Sequence, residues 1–357
     1  MTGPSARELT RIARLRVLSQ GAYRPQRTGP VEVVRHLAAL QGQDLPGALY
    51  SVALRTSRPA LSAVVEALAR GDIVRSWTMR GTLHLCTAED LPLFLGLTAE
   101  RMLKSFTTRH RQLGITEADV EQARELTLAR VAGGGATRAE LFEVLEAAGQ
   151  RTDAQRGIHL LLVLSLQRHL VQGPLRGNQQ LFMPYREWIP DRETVPAEGE
   201  ALASLAVRYF HSHGPATLAD LAWWTKLPLT AVRAAVQSVR GELAVKEYGG
   251  QEYFGAPAVL DLPESQHPGS DSLCLLPGFD ELILGYTDRS AALAQQHAAR
   301  IVPGGNGVFR PTILRGGRVV GTWRKKPVVL EPFVPLGAGV LAAAERAAGR
   351  YERFLTR

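Results

Sequence analysis

Two glutamines separated by one glycine, Gln41-Gly42-Gln43, are the side chains of this sequence best spaced to act on one small group. On an extended segment, residues two apart project to the same face, so the two amides would face one site. Each amide supplies an oxygen acceptor and N–H donors without carrying charge. Such a pair can hold a water molecule or stabilise positive charge that develops beside it. A solvated turn after a helix explains the same residues, and the spacing leaves both interpretations open.

Three other polar residues follow the pair or lie in a predicted hairpin. Asp44 comes directly after Gln43 and is either a second carboxylate at the same site or a local turn former ahead of a Pro-Gly dipeptide. Arg80 offers a cation to a phosphate group. His84 alternates with leucines, a pattern typical of the exposed face of a half-buried strand.

A basic stretch covers residues 300–330, which contain seven arginines and lysines and no acidic residue. Arg310, Arg315 and Arg318 cluster at and near the tip of a hairpin predicted for residues 308–323. The net charge of +8 favours polyanionic partners such as nucleic acid or anionic lipid. Charge at this tip is either available to such a partner or serves to protect an exposed strand edge.

The cysteines and paired histidines do not indicate a metal site. Cys86 and Cys274 are far apart and have no partner at ligand spacing, so we expect both to be small buried residues. His211 and His213 lack a third ligand nearby. The sequence therefore predicts neither a metal nor a cofactor.

Membrane insertion and export are not indicated either. The N-terminal residues lack an apolar segment with a cleavage site, and the longest apolar runs are too short to cross a bilayer. We expect a soluble, cytoplasmic, monomeric protein with no membrane partner.

An internal repeat organises the middle of the chain: residues 136–141 (ATRAEL) return as residues 216–221 (ATLADL). In each copy a threonine with an acidic residue three positions later forms a capping box, which predicts the start of a helix. A second helix is expected at 153–166 and 228–239, followed by hairpins at 170–184 and 243–257. Two helices followed by a hairpin are the order of a winged helix-turn-helix module.

The N-terminal segment fits this template more loosely. Helices are predicted from a cap at Ser5 and over residues 31–40 and 61–69, with a wing at 73–86. Residues 190–199 are the best linker candidate.

From residue 272 onward the sequence predicts strands and a final helix. Strands are expected at 273–276 and 282–286, then a hairpin with arms 308–314 and 318–323. Pro311 in the first arm predicts an edge or bulged strand. Asp280 and Arg289 are expected to form a buried ion pair, and Trp223-Trp224 to pack in the core.

Four groups of residues, in order, resemble the AlkZ and YcaQ family of winged helix-turn-helix DNA glycosylases. They are Leu40-Gln41-Gly42-Gln43-Asp44, residues 77–84 (WTMRGTLH), residues 277–280 (PGFD) with 285–290 (GYTDRS), and residues 307–311 (GVFRP) with 321–323 (GTW). The resemblance implies an α+β, C-shaped protein of three tandem winged helix-turn-helix modules and a C-terminal β-rich region. It divides the chain into modules at 1–95, 96–190 and 198–262 and a β-rich region at 270–357.

The same resemblance implies a monofunctional glycosylase that removes N7- or N3-alkylated purines from duplex DNA and unhooks interstrand crosslinks. Gln41 and Gln43 match the Gln-x-Gln motif of the AlkZ branch, with Gly42 where a larger apolar residue is usual. Glycosidic cleavage passes through an oxocarbenium-like state that polar oxygens stabilise. An N7-alkylated guanine is already cationic and leaves readily, so neutral amides suffice. Arg80 and His84 would contact the DNA, and the hairpin with its arginines would enter or clamp the minor groove.

A different function also fits a winged-helix chain, namely a transcriptional regulator without enzymatic activity. A regulator typically carries one reading head and dimerises over a palindrome. Tandem modules joined to a basic strand region favour the glycosylase.

Overall fold

The computed structural model describes residues 3–190, 197–305, 307–325 and 327–356. Contacts divide the chain into two units, unit 1 with Met1–Val64 and Gly199–Arg357, and unit 2 with Val65–Glu198. The α+β composition expected from the sequence is confirmed. Residues 191–196 of the predicted linker lie outside the described residues.

The helices in chain order are α1 (Ala6–Ser19), α2 (Pro30–Leu37), α3 (Leu45–Leu54), α4 (Leu61–Ala69), α5 (Leu91–Gln112), α6 (Glu117–Val131), α7 (Arg138–Ala147), α8 (Arg156–Leu166), α9 (Tyr185–Trp188), α10 (Glu198–His213), α11 (Leu218–Thr225), α12 (Leu229–Ser238), α13 (Pro257–Leu260), α14 (Glu281–Leu284), α15 (Ala298–Ile301) and α16 (Ala338–Thr356). The strands are β1 (Leu40–Gln41), β2 (Ile73–Met79), β3 (Thr82–Thr87), β4 (Ala136–Thr137), β5 (Leu170–Arg176), β6 (Gln179–Pro184), β7 (Ala244–Tyr248), β8 (Gln251–Gly255), β9 (Leu273–Leu276), β10 (Thr312–Arg315), β11 (Arg318–Lys325) and β12 (Val328–Pro332).

The capping boxes predicted from the sequence are present. Ser5, Thr137 and Thr217 each accept a hydrogen bond from the backbone amide three residues on, and the acidic side chain there bonds back to the amide of the cap. These bonds satisfy amide donors that the first helical turn leaves unpaired. Helices α1, α7 and α11 therefore begin where local sequence places them.

Both copies of the repeat fold as two helices followed by a hairpin: α7, α8 and β5–β6 in unit 2, and α11, α12 and β7–β8 in unit 1. The hairpins turn at Gly177-Asn178 and Gly249-Gly250, where the glycines have positive φ. Helix α8 begins at Arg156 and not at residue 153, because Ala154 and Gln155 are in left-handed conformations that no helix contains.

Unit 2 contains an antiparallel sheet in which its strands follow the order β3-β2-β5-β6-β4. The predicted wing at 73–86 is the β2–β3 hairpin. It joins the second hairpin through one pairing, Arg75 opposite Gln172. The two hairpins thus share one sheet, with α5 and α8 packed against β2.

Unit 1 contains the four-stranded antiparallel sheet β12-β11-β10-β9 and the separate β7–β8 hairpin. The strand predicted at 282–286 is wrong: the chain forms α14 there, and Asp280 caps it by accepting from the Leu282 amide at 3.0 Å. A short apolar run fits a buried helix turn as well as a strand, so periodicity alone does not separate them.

The strand predicted to contain Pro311 begins only at Thr312. It is not an edge strand, since β10 lies between β9 and β11, but the expected bulge is present between Ile313 and Leu314. Because Pro311 precedes the strand, its missing amide costs no ladder hydrogen bond.

Both cysteines are buried and unpaired, as predicted. Among the residues that the structure describes, no helix has the length and apolar character needed to cross a membrane.

Candidate functional site

The backbone turns sharply just before the glutamine pair. Helix α2 ends at Leu37, and Ala38 has φ 63° and ψ −53° while its neighbour Ala39 donates from its amide to the Leu37 carbonyl at 2.8 Å. This three-residue γ-turn is rare for a residue with a side chain. Sparsely populated conformations of this kind cost roughly 1–3 kcal/mol and persist where the surroundings impose them. The turn explains why the helix predicted over 31–40 ends at Leu37.

Gln41 and Gln43 occupy different environments. Gln41 ends β1 and is 9% exposed, whereas Gln43 lies in a bend and is exposed. The extended segment expected for the pair thus ends at Gln41. One glutamine is thus buried and the other exposed.

A buried carboxylate lies behind Gln41. The Gln41 backbone amide donates to Glu281 Oε1 at 2.9 Å, and the Trp224 indole N–H donates to Glu281 Oε2 at 3.0 Å. His213 Nε2 lies 3.5 Å from the same Oε2. Glu281 is 1% exposed, so these contacts take place away from water.

Asp280 anchors the turn that carries Glu281. Its carboxylate receives two hydrogen bonds from the Arg55 guanidinium, at 2.8 and 2.9 Å, and one from the Ser51 hydroxyl at 2.6 Å. Both ionic side chains are fully buried. Burial acts to lower the pKa of Arg55, but the charge of Asp280 outweighs it and the pKa is raised. Asp280 therefore forms a buried ion pair, but its partner is Arg55 and not the predicted Arg289.

Arg289 has another role. Its Nε donates to the Ile283 carbonyl at 2.9 Å, and its guanidinium lies 5.3 Å from the Trp223 ring centroid and 5.2 Å from that of Phe309. Burial lowers the pKa of Arg289. Trp224 is fully buried, as predicted, whereas Trp223 is only half-buried beside this cation.

The turn between β10 and β11 packs on helix α1. A side chain at Gly317 would approach the Ala13 backbone to 2.7 Å, and Gly316 and Gly317 are both buried. Arg315 donates to the Ser270 carbonyl at 2.8 Å and pairs with Asp271 at 3.1 Å. The two glycines of the turn are therefore covered by unit 1 itself.

The arginines around that turn differ in exposure. Arg310 is exposed and Arg318 half-buried. Their contact with DNA stays a prediction.

The last residue of β11 contacts the residue that follows the glutamine pair. Lys325 Nζ contacts Asp44 Oδ2 at 2.7 Å, and Asp44 immediately precedes α3 without capping it through its side chain. The sequence left the role of Asp44 open between a second carboxylate at the site and a turn former. This ion pair is the contact that the structure shows for it. Lys325 is thereby paired with the residue that follows Gln43 in the sequence.

An aromatic cluster supports the helix that follows the pair. Tyr50 on α3 packs edge-on against Trp323 of β11, at 6.3 Å between centroids, and against Tyr351 of α16, at 4.7 Å. Burial, with a smaller contribution from the charge of Asp44, raises the pKa of Tyr351. The start of α3 is thereby held to the sheet and to the final helix.

Arg80 and His84 lie in unit 2, on the β2–β3 hairpin. Arg80 has φ 57° at the turn, and its Nη2 is 2.9 Å from His84 Nε2. His84 Nδ1 is 3.0 Å from the Thr82 carbonyl, so Nδ1 donates and Nε2 accepts. His84 is fully buried, which corrects the prediction that it lies on an exposed strand face.

Among the described residues, no group of three or more histidine, cysteine, aspartate or glutamate side chains is placed to hold a metal ion. His213 stacks on Tyr209 at 4.6 Å between ring centroids. The sequence patterns did not identify Glu281, Lys325 or Arg55 as site residues. Of the three, only Glu281 adjoins a group of residues that carries the family resemblance, residues 277–280.

Comparison with known proteins agrees with this architecture. The model of the AlkZ-like DNA glycosylase family matches residues 34–354. An interstrand DNA cross-link repair glycosylase of Streptomyces sahachiroi is 28% identical over 336 residues, covering 90% of each chain. The solved structure of Streptomyces sahachiroi DNA glycosylase AlkZ superposes with a TM-score of 0.79 at 25% identity, covering 97% of this chain and 96% of the other.

The fold and the site thus define a DNA glycosylase, a hydrolase of N-glycosidic bonds that acts in DNA repair. The chain belongs to the AlkZ-like DNA glycosylase family.

Proposed function

We propose that this glycosylase hydrolyses the N-glycosidic bond of N7- and N3-alkylated purines in duplex DNA and unhooks interstrand crosslinks, with Gln41 and Gln43 as the catalytic residues. The observation that carries the proposal is the anchored backbone of Gln41 close in sequence to an exposed Gln43, with Lys325 paired to the following residue, Asp44. Crosslinks are included because the Streptomyces relative is named an interstrand DNA cross-link repair glycosylase.

The two amides would divide the work according to their exposure. An alkylated purine carries positive charge and leaves without protonation, so the enzyme has to stabilise the oxocarbenium-like sugar and deliver water. The buried amide of Gln41 is preorganised for the first task, since a fixed dipole needs no rearrangement as charge develops. The exposed amide of Gln43 is accessible to a water molecule and to the DNA.

DNA binding is proposed to rest on phosphate contacts that carry little sequence information. Lys325 is the leading candidate in unit 1, with Arg310, Arg315 and Arg318 as further contacts. Arg80 is the candidate in unit 2, and the buried His84 would act by accepting a hydrogen bond from the Arg80 guanidinium. The three winged helix-turn-helix modules and the β-rich region, with the boundaries given above, remain part of the proposal, as do action as a monomer and a need for no cofactor.

The experiment that tests the substrate class is single-turnover excision on two duplexes of identical sequence, one containing a single N7-methylguanine and one an N7-linked interstrand crosslink. Heat or alkali converts each abasic site to a strand break that a gel resolves. We expect breaks at both lesions and none at unmodified guanine. Excision of neither lesion at excess enzyme would contradict the proposal.

A regulator would behave differently in a binding assay. Operator-like proteins prefer their site by ~1,000-fold or more over other DNA. We expect weak sequence dependence and an affinity that falls steeply with salt, because phosphate contacts release counterions.

A further inference from the structure

Glu281 is a buried carboxylate for which the proposed reaction has no direct use. It lies behind the glutamine pair, 1% exposed, at the start of the short helix α14. Taking a carboxylate out of water costs several kcal/mol unless hydrogen bonds compensate. A position that only needed filling would be served as well by an apolar side chain of similar size.

Each oxygen of this carboxylate faces a different donor. Oε1 accepts from the Gln41 backbone amide at 2.9 Å, and Oε2 accepts from the Trp224 indole at 3.0 Å. Glu281 therefore connects Gln41 to the packed aromatic interior of unit 1.

The other side of Gln41 is also constrained. The γ-turn at Ala38 precedes it by three residues, and a strained backbone keeps its geometry only while its surroundings hold it. Without the bond to Glu281, the Gln41 backbone amide would lose its acceptor three residues after this turn. The Gln41 side chain would then lose its fixed position.

We propose that Glu281 is a positioning residue for glycosidic hydrolysis, which acts through the backbone of Gln41 and is itself oriented by Trp224. This inference rests on the proposed catalytic role of Gln41. Displacement of a catalytic group by about 1 Å costs on the order of 100-fold in rate. Loss of the Glu281 contact should therefore slow the chemical step while DNA binding is retained.

Glu281→Gln is the informative substitution. Its amide has the same shape, but it presents one oxygen and one NH2 group to two N–H donors, so one of the two hydrogen bonds must be lost. Tyr209→Phe is the matched control. It removes another buried hydrogen bond beside α14, from the Tyr209 hydroxyl to the Gly285 carbonyl at 2.7 Å, without touching the carboxylate or Gln41.

The test is a double-mutant cycle between Glu281→Gln and Gln41→Ala, read as single-turnover excision of N7-methylguanine at saturating enzyme, well below the melting temperature of each variant. We expect Glu281→Gln to slow excision by about 10- to 100-fold in the wild-type background and by less than about twofold in the Gln41→Ala background. Affinity for the same duplex should stay within about twofold, and Tyr209→Phe should excise at the wild-type rate.

Trp224→Phe provides a second measurement should Glu281→Gln not fold, because it removes the donor to Oε2 and leaves the carboxylate and its bond to Gln41. It should slow excision, again only when Gln41 is present. Wild-type rates for Glu281→Gln, or for Trp224→Phe in its place, would overturn the inference, and so would losses that multiply with that of Gln41→Ala. Full activity of Gln41→Ala alone would instead refute the proposed catalytic role, and an inactive wild-type protein the proposed substrate.

Discussion

His36 makes the stability of unit 1 depend on pH. Its Nε2 is 2.6 Å from the Ser19 carbonyl, so the neutral ring donates from Nε2. Burial lowers the pKa of His36 to about 4, and the positive charges of Arg27 and Arg55 act in the same direction. The unfolded chain binds the proton with a pKa near 6.5. Between pH 6.5 and 4 the unfolded state therefore binds more protons than the folded state, and stability falls as the solution is acidified.

The magnitude follows from the two pKa values. At pH 5 protonation stabilises the unfolded state about 30-fold more than the folded state, which corresponds to about 2 kcal/mol of lost unfolding free energy. At pH 7.5 the same contribution is close to zero. His36→Gln removes the titration and keeps an amide N–H that can donate to the Ser19 carbonyl.

The assay is urea unfolding of the wild-type protein and His36→Gln at pH 7.5 and pH 5. We expect wild type to lose about 2 kcal/mol more than the variant between the two values. Equal losses in the two proteins would show that the folded state accepts the proton as readily as the unfolded chain, which would refute the argument from burial.

Two further predictions concern Asp280 and Lys325. Asp280→Asn leaves the buried Arg55 guanidinium without its counterion, so the unfolding free energy should fall by about 3–5 kcal/mol in urea titrations, whereas replacement of the exposed Asp271 should change it by less than about 0.5 kcal/mol. Lys325→Ala should weaken duplex binding and reduce the slope of log affinity against log salt by about 1; an unchanged slope would contradict a phosphate contact by Lys325.

Local interactions explain which parts of the fold were predictable. The capping boxes at Ser5, Thr137 and Thr217 and the glycine turns of the hairpins satisfy backbone groups within a few residues, so the sequence specifies them nearby. The strand predicted for the α14 segment was wrong because a short apolar run has no periodicity that separates a strand from a helix. The early end of α2 depends on a γ-turn that local sequence patterns do not predict.

The site required information that local patterns do not contain. Arg55 and Asp280 are 225 residues apart in sequence, and Gln41 and Glu281 are 240 residues apart. Their pairing depends on tertiary packing, which is why Asp280 was matched with the nearer Arg289. Packing of the Gly316-Gly317 turn on α1 was missed for the same reason. The glutamine pair itself was found because its spacing and its neighbours in sequence carried the family resemblance.

The central claim is that the two glutamines carry out the chemistry, and one measurement tests it most directly: single-turnover excision of N7-methylguanine by Gln41→Ala, Gln43→Ala and the double variant, alongside affinity for the same duplex. We expect each single change to slow excision by about 100-fold, equivalent to about 2.7 kcal/mol of transition-state stabilisation, with binding largely intact. The double variant should lose much less than the product of the two, because the sugar faced by Gln41 and the water held by Gln43 react in one transition state, so that the two groups act as a unit. Wild-type excision by the double variant would contradict the claim and place the catalytic residues elsewhere.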